Sequence, residues 1–269
     1  MSILRSSGVR ESVRDASDTA TITPEVRTEL LVPNPTVDKL RHVREALRAN
    51  RLLAMLSEGN RELLVLHLAR ARFSKGDVLY RPGDRIHSVY FPTSGMISLV
   101  YGTKDGSAIA VDTVGKGGMI GVPLVLGVGI SAYRAVVEAP SEALVISAAA
   151  FKLALKQPEL RELLLRYAHQ LLVQVSQAAV CYHYHTVEQR LCTHLLTVKD
   201  CLGSDKFQLT HELLSYLLAA GRPTVTQAAR AIHDQGLIRY RWGSIEILDR
   251  RRLEAGACEC YRRESRLCV

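Results

Sequence analysis

The fold is decided by the stretch Leu209-Thr-His-Glu-Leu-Leu-Ser-Tyr-Leu-Leu-Ala-Ala-Gly-Arg-Pro-Thr-Val-Thr-Gln-Ala-Ala-Arg-Ala-Ile-His-Asp-Gln-Gly-Leu-Ile238. Leucines at helical spacing follow Thr210, whose hydroxyl can accept a hydrogen bond from a free amide of the first helical turn. The small residues 219–221 can form a turn, and Pro223 near the start of a second helix costs no hydrogen bond. Gly236 can end that helix. The stretch therefore predicts a helix-turn-helix.

The second predicted helix has an apolar side and a polar side. Its apolar side consists of Val225, Ala228, Ala229 and Ile232. The side chains left on its flanks and outer face can reach base edges and phosphates in a major groove. Together with one arginine of the segment that follows, the candidate DNA contacts are Arg222, Pro223, Thr224, Thr226, Gln227, Arg230 and Arg241.

A β-hairpin is predicted directly after the second helix, because Leu237–Leu248 contains two short alternating runs around a Trp-Gly-Ser turn. A helix-turn-helix followed by a hairpin is a winged helix. Between Arg222 and Arg252 there are seven Arg against three acidic residues, so this segment carries +4 of the formal net charge of +8. Positive charge near phosphates is the sequence-independent part of DNA affinity. The combination favours DNA binding over a helical hairpin that only packs on a partner.

The remainder of the chain has the composition of a globular protein. With 269 residues, 47% hydrophobic and 23% charged, it is long enough for two cores. Residues 73–146 alternate short β-prone runs with turn pairs, which predicts a β-sandwich or jelly-roll barrel. The longest uncharged apolar stretch, Gly117–Ala132, is too short to span a bilayer, and no secretory signal is apparent. The six Cys lack the spread of a disulfide framework, so a reducing cytoplasm is expected.

A long apolar-rich helix is predicted from Pro158 to about Tyr184. Its two adjacent apolar faces need two partners, for which the barrel and the same helix of a second subunit are candidates. The residues expected in the dimer interface are Leu165, Ala168, Leu172, Val175, Ala179 and Tyr182. A single core helix in a monomer is the alternative. Thr186-Val-Glu-Gln189 has the form of a capping box, which starts a new helix and places a hinge at His185 and Thr186.

The predicted fold class is α+β, with an N-terminal jelly-roll barrel, a long dimerisation helix and a C-terminal winged helix-turn-helix. The predicted division is an arm over residues 1–40, an effector-type barrel domain with flanking helices over 41–157, a dimerisation helix over 158–185, a DNA-binding domain over 186–250 and a tail over 251–269.

This order of parts resembles the Crp/Fnr family of bacterial transcription regulators. The resemblance covers about residues 50–250 and is carried by Gly76–Asp84, Val89–Ser98, Gly118–Gly121, Val187–Leu191 and the helix-turn-helix. It implies a homodimer that reads a near-palindromic site in double-stranded DNA, with an effector or redox input to the barrel. RNA polymerase is a further candidate partner, and no membrane contact is expected.

The sequence departs from the cyclic-nucleotide-binding members at the residues expected to hold the ligand. In those members a Glu follows the Gly that matches Gly121, and an Arg farther on neutralises the cyclic phosphate. Val122 and Ala132 hold these two positions here, and Arg134 lies two residues too late. Because burying a phosphate without these partners is costly, we expect cyclic AMP and cyclic GMP not to be the effectors. The candidate effector pocket comprises Gly121, Val122, Ser131, Ala132 and Arg134, and it either holds a hydrophobic ligand or is filled by its own side chains.

No metal or cofactor is predicted. Iron-sulfur members of the family use N-terminal Cys, and this chain has none before Cys181. A haem ligand in the barrel would have to be His87. Because His87 follows a turn signal, it is interpreted as a polar surface residue instead. Cys181, His185, Glu188 and Cys192 would share one side of an unbroken helix and could bind a metal or respond to oxidants. Because the predicted hinge breaks that helix, packing in the dimer interface is the favoured interpretation. Cys258-Glu-Cys260 is interpreted as tail sequence.

The resemblance also assigns roles within the DNA contacts. Arg222 matches the family Arg that reads a guanine, whereas Pro223 and Gln227 stand where many members have Glu and a second Arg. A different half-site is therefore expected. An enzyme of the cupin type is disfavoured, because His87 is the one His of the barrel region and such a metal needs paired His with a carboxylate. A non-DNA-binding allosteric or protein-interaction module of the same architecture remains the alternative.

Overall fold

The computed structural model describes residues 37–103, 108–241 and 243–261. Most of the arm predicted over residues 1–40 lies outside these ranges, as do residues 104–107, Trp242 of the predicted hairpin turn and residues 262–269. The described residues form a β domain, a long helix and a C-terminal winged helix-turn-helix lobe, which confirms the predicted fold class.

Three helices precede the β domain within the described residues. They are α1 (Val37–Ala49), α2 (Arg51–Ala54) and α3 (Glu58–Val65). Asn50 is fully buried between these helices and the sheets, and its Oδ1 accepts a hydrogen bond from the amide of Leu53 at 3.0 Å. Its Nδ2 donates to the carbonyl oxygens of Pro92 (2.8 Å) and Gly118 (2.9 Å). Because its side-chain oxygen and nitrogen both have partners, Asn50 joins the helices to the β domain without leaving buried polar groups unpaired.

The β domain is a sandwich of two antiparallel sheets, as predicted. Its strands are β1 (Ala69–Phe73), β2 (Val78–Tyr80), β3 (Ser88–Pro92), β4 (Met96–Gly102), β5 (Ala108–Val114), β6 (Arg134–Ala139) and β7 (Ser141–Ser147). The strand orders are β1-β7-β3 and β2-β6-β4-β5. Val89, Ile97, Val137 and Leu144 are fully buried in its core. One turn needs a glycine, because Gly95 has a φ of 77° and an added Cβ would collide with the backbone of Pro140 and Ser141.

Two helices follow the last strand of the sandwich, and a third connects two of its strands. The short helix α4 (Val122–Val125) stands between β5 and β6, and α5 (Ala148–Ala154) leads to the long helix α6 (Pro158–Tyr184). The inner face of α6 packs on the β domain, where the Tyr167 hydroxyl accepts a hydrogen bond from the amide of Met119 at 3.2 Å. Among the described residues, no helix has both the length and the apolar character needed to cross a membrane.

The C-terminal lobe begins after a two-residue break in the helix. Its elements are α7 (Val187–Leu202), β8 (Lys206–Gln208), α8 (His211–Leu218), α9 (Arg222–Asp234), β9 (Ile238–Arg241), β10 (Ser244–Ile247) and α10 (Arg250–Gly256). The predicted capping box is formed, since Thr186 and Gln189 exchange hydrogen bonds at the start of α7. The three strands pair in the order β8-β10-β9.

Residues 250–261, predicted as the end of the DNA-binding domain and part of a tail, instead form α10 and a packed turn. Arg250 bonds Asp200 on α7 (2.9 Å), Glu254 (2.7 Å) and the hydroxyl of Tyr261 (2.8 Å). Cys258 and Cys260 are buried, with 4% and 1% of their surfaces exposed. The helix is too short to show an apolar period, so its packing on α7 was not evident from the sequence.

Candidate nucleic-acid interface

The turn between α8 and α9 has the tight geometry that the sequence predicts. The Thr210 hydroxyl accepts from the amide of Leu213 at 3.2 Å and caps α8. Ala219 closes α8 in the left-handed region with a φ of 47°, and the amide of Ala220 returns to the Ser215 carbonyl at 3.2 Å. An alanine tolerates this conformation at a cost that the surrounding packing must offset. Gly221 then precedes α9.

Helix α9 is buried on its inner side and exposed to solvent on its outer side. Its buried side chains are the four predicted ones, Val225, Ala228, Ala229 and Ile232. Its exposed residues include the six predicted contacts on this helix, Arg222, Pro223, Thr224, Thr226, Gln227 and Arg230. The helix therefore presents a polar surface of the width that a major groove admits.

Two of the exposed side chains of α9 are held by α8. The Arg222 guanidinium lies 2.7 Å from a carboxylate oxygen of Glu212, and both side chains remain more than half exposed. The Thr226 hydroxyl lies 3.0 Å from Nδ1 of His211 and 2.9 Å from the Arg222 carbonyl. Burial lowers the pKa of His211, which favours the neutral ring. These contacts orient the N-terminal half of α9 before any ligand arrives.

The hairpin of β9 and β10 lies beside the two helices and is coupled to them by aromatic stacking. The rings of Tyr240 and His211 are 4.5 Å apart and nearly parallel. Arg239 pairs with Glu246 across the hairpin at 2.8 Å, while Arg241 is exposed at the end of β9. The predicted wing is thus formed, and it adds an exposed cation next to the turn.

The basic charge of the lobe is unevenly distributed. Arg250 is occupied by Asp200 and Glu254, away from α9. Arg230 makes only a long ion pair with Asp234 (3.8 Å). Arg230 and Arg241 therefore keep most of their positive field for solvent or phosphate.

Two family models match the chain and together span more than half of it. Residues 70–157 match the cyclic nucleotide-binding domain, and residues 189–255 match the Crp-like helix-turn-helix domain. The chain belongs to the Crp/Fnr family.

Solved structures of Crp/Fnr proteins share this fold at low sequence identity. The c-di-GMP-responsive global regulator CLP from Xanthomonas campestris has 16% identity and a TM-score of 0.61, over 72% of this chain and 100% of that one. FixK2 from Bradyrhizobium japonicum has 16% identity and a TM-score of 0.62, over 71% and 98%. A CRP/FNR-family transcriptional regulator from Thermus thermophilus has 23% identity and a TM-score of 0.59, over 70% and 97%. A sequence comparison with curated proteins finds no match.

Two residues of the predicted effector pocket in this Crp/Fnr protein, Gly121 and Ser131, are closely contacted by the protein itself. Gly121 has a φ of 116°, and an added Cβ would lie 3.0 Å from a methyl of Val89. The Ser131 hydroxyl is engaged by the backbone of Tyr133, at 2.8 Å and 3.1 Å. Ala132 and Arg134 are exposed. The geometry does not bring Arg134 and Ser131 together as a buried anion site.

A cleft of about 590 Å³ lies elsewhere, between the β domain and the C-terminal lobe. Asp112, Lys116, Tyr167 and Lys199 are among its lining residues, and none of the predicted effector-pocket residues lines it. Burial raises the pKa of Asp112 to about 6, although the Thr113 amide bonds one carboxylate oxygen at 2.7 Å. The other oxygen has no hydrogen-bond partner among the described residues. The Asp112 carboxylate is therefore a strained charge in the folded protein.

The predicted dimer-interface residues divide between two faces of α6. Leu165, Leu172, Val175 and Ala179 are exposed. Ala168 is buried within the protomer, and Tyr182 is half-buried with its hydroxyl near the carbonyl of Leu217 (3.4 Å). These last two residues face the protomer's own core, because they lie on the edge of the stripe nearest the residues that pack inward. Their assignment to the dimer interface stays a prediction.

The cysteine and histidine grouping that an unbroken helix would have formed is absent among the described residues, and a different one is present. Cys181 and His185 do come together, but with Cys258 and Cys260 rather than with Glu188 and Cys192. The break between α6 and α7 turns Cys192 into the core of the lobe. Sequence reasoning missed this grouping, and the signals that could have found it are the Cys-x₃-His at the helix end and the Cys-x-Cys near the C-terminus.

Proposed function

We propose that this Crp/Fnr protein regulates transcription in the cytoplasm as a homodimer, with each protomer placing α9 in the major groove of a near-palindromic operator. The observation that carries the proposal is the split character of α9. Val225 and Ile232 are fully buried, while Arg222 and Gln227 lie exposed on the outer side. A helix that only packed on its own lobe would have no need of such a polar outer row next to an exposed, basic wing.

The same helix suggests which bases are read. Arg222 can donate two hydrogen bonds to the major-groove edge of guanine, and Gln227 can pair with adenine. Pro223 has no acceptor on its side chain and so cannot take a hydrogen bond from cytosine. The preferred half-site therefore combines a guanine with an adenine. It differs from the half-site of members that have Glu at the position of Pro223 and Arg at the position of Gln227.

The homodimer is supported by an apolar stripe on α6. Leu172 is 68% exposed, and Leu165, Val173 and Val180 are also exposed on this side. A second copy of the chain presents the same stripe, so a twofold contact is self-complementary. Ser176 and Ala179 on this face are small enough to let two helices approach closely. Two α9 helices related by this axis would read two half-sites about one duplex turn apart.

The β domain is proposed to receive a signal other than cyclic AMP. The Glu and Arg expected to hold the ribose and phosphate are replaced by Val122 and Ala132. CLP, which shares the fold, is described as responsive to c-di-GMP, so this fold is not restricted to one nucleotide. Of the two alternatives for the predicted pocket, the backbone bonds of Ser131 favour the one in which it is filled by its own side chains.

The decisive experiment is selection of bound genomic fragments followed by gel shifts at two salt concentrations. We expect affinity for duplex DNA to fall steeply with salt, because phosphate contacts release counterions. The variant Arg222→Ala/Gln227→Ala should lose preference for the selected site, whereas Arg72→Ala, an exposed arginine of β1, should not. Absence of salt-dependent DNA binding in the full-length protein would favour a protein-interaction module instead.

A further inference from the structure

Four metal-binding side chains converge where the long helix meets the C-terminal lobe. Cys181 lies in the last turn of α6, His185 ends that helix, and Cys258 and Cys260 follow α10. Their sulfur and nitrogen atoms all lie within 4.8 Å of one another. All three cysteines are buried, and the His185 side chain is 12% exposed.

Two distances within this Cys/His cluster match those of a tetrahedral zinc site. The Sγ atoms of Cys181 and Cys258 are 3.7 Å apart, and Sγ of Cys260 lies 3.6 Å from Nδ1 of His185. Zinc bonds of about 2.3 Å to sulfur and about 2.0 Å to nitrogen place tetrahedral ligands about 3.8 Å (S to S) and about 3.6 Å (S to N) apart. The pairs are thus already spaced as if around one small ion.

We propose that Cys181, His185, Cys258 and Cys260 bind one Zn²⁺ ion, forming a closed Cys₃His site that fastens the C-terminal segment to the junction of α6 and α7. Four protein ligands leave no position for water or substrate, which is the composition of a structural zinc site. Binding requires three thiolates and a neutral imidazole, so it releases the thiol protons to solvent. The proposal does not depend on DNA binding.

The surroundings of the cluster supply the outer contacts that zinc ligands need. Nε2 of His185 lies 3.2 Å from a carboxylate oxygen of Glu259, which favours the tautomer with its proton on Nε2 and its lone pair on Nδ1. Gln177 donates to the sulfur of Cys260 at 2.9 Å. The Thr193 hydroxyl lies 3.1 Å from the sulfur of Cys258.

Three alternatives account for this arrangement less well than a zinc site does: apolar packing, a disulfide and an iron-sulfur cluster. Buried thiols can act as small apolar groups, but packing does not require an imidazole nitrogen facing a sulfur with a carboxylate on its other side. A Cys181–Cys258 disulfide would need the sulfurs about 2.05 Å apart and would leave His185 and Cys260 without a role. An iron-sulfur cluster binds its ligands through separate irons, which requires wider spacing than a single ion.

The test uses the full-length chain without a polyhistidine tag, purified under reducing conditions. Metal content is measured by mass spectrometry of the elements and of the intact native protein. Co²⁺ is then substituted to give an optical readout. We expect one zinc per chain, removal only by strong chelators, and a cobalt spectrum with thiolate charge-transfer and intense tetrahedral bands.

Variants assign the ligands. Cys258→Ser and Cys260→Ser should each weaken zinc binding by more than the roughly 10- to 100-fold that loss of an outer partner costs, and should reduce the cobalt charge-transfer band. Glu259→Gln should weaken binding about 10-fold and leave that band intact, because Glu259 only positions His185. Cys201→Ser is the matched control, since Cys201 lies outside the cluster, and it should leave binding unchanged.

Three results would overturn the assignment. The first is a chain that takes up no zinc under loading conditions, and the second is iron with labile sulfide in place of zinc. The third is unchanged zinc binding in both Cys258→Ser and Cys260→Ser. If the cysteine variants do not fold, the chelator competition and cobalt spectrum of the unmodified chain still decide between a three-thiolate site and no site.

Discussion

Arg222 at the start of α9 is paired with Glu212 of α8, with 2.7 Å between Nη2 of the arginine and Oε1 of the glutamate. The side chain proposed to read a guanine is therefore held by an acid in the absence of DNA. Both side chains are more than half exposed, so the pair contributes little to stability and can exchange its partner. The pair orients Arg222 and at the same time keeps a negative charge close to the DNA-binding surface.

Replacing Arg222 by Ala should cost about 1–3 kcal/mol of binding free energy at one guanine of the operator. The reason is the loss of two hydrogen bonds to a single base edge. Binding to the selected operator and to its single-base variants would be measured by titration at fixed salt. An equal loss on every sequence would show that Arg222 contacts only phosphate.

Replacing Glu212 by Gln should strengthen DNA binding, because it removes the charge that competes with DNA for Arg222. We expect a gain of about 1 kcal/mol and a salt dependence that becomes steeper by about one counterion. The control is Glu62→Gln, which breaks a similar exposed pair with Arg44 far from α9. If both variants bind DNA as the unmodified chain does, Glu212 does not regulate access to Arg222.

Replacing Leu172 by Glu should convert a dimer to monomers, because it places a charge at the centre of the exposed stripe of α6. Molar mass would be measured by light scattering at several concentrations. Leu153→Glu is the matched control, since Leu153 is similarly exposed, at 60%, but lies on α5. A mass that Leu172→Glu leaves unchanged would remove this stripe from the interface.

His194 on α7 should make the protein sensitive to acid. Burial lowers its pKa to about 4, and its Nε2 has no hydrogen-bond partner among the described residues. Since the unfolded chain takes up the proton near its ordinary pKa of about 6.5, the free energy of unfolding falls as pH drops from about 6.5 to about 4, by about 2–3 kcal/mol. His194→Gln should remove this loss in denaturant titrations at several pH values. Retention of the full loss in that variant would exclude His194 as its source.

Asp112 in the cleft should act in the opposite direction. Its folded pKa of about 6 lies above its unfolded value, so the free energy of unfolding falls as pH rises from about 4 to about 6. Asp112→Asn should stabilise the protein at pH 7 by about 1–2 kcal/mol, because no charge then has to be buried. In the unmodified chain the two effects partly cancel, so Asp112→Asn should also expose the acid sensitivity due to His194. A variant less stable than the unmodified chain at pH 7 would contradict this.

The winged helix and the β-sandwich could be predicted because their signals are local. Each signal depends on a few neighbouring residues: leucines at helical spacing after Thr210, a proline at the start of α9, and apolar residues that alternate with polar ones on both sides of residues 242–244. The buried set Val225, Ala228, Ala229 and Ile232 follows from the same periodicity. Periodicity identifies an apolar face, but it does not say which partner covers that face. For this reason the inward orientation of Ala168 and Tyr182 could not be predicted.

The amino-acid sequence by itself determined the order of the elements, the basic character of the lobe and the replacement of the nucleotide-binding residues by Val122 and Ala132. Only the tertiary structure decided that Arg222 meets Glu212 and that Cys181 and His185 meet Cys258 and Cys260. The first pair, Cys181 and His185, is more than seventy positions away from the second pair, Cys258 and Cys260. The helix α10 has to pack on α7 before the two pairs can converge. Contacts between distant segments depend on how whole elements pack, and a local pattern carries no information about that packing.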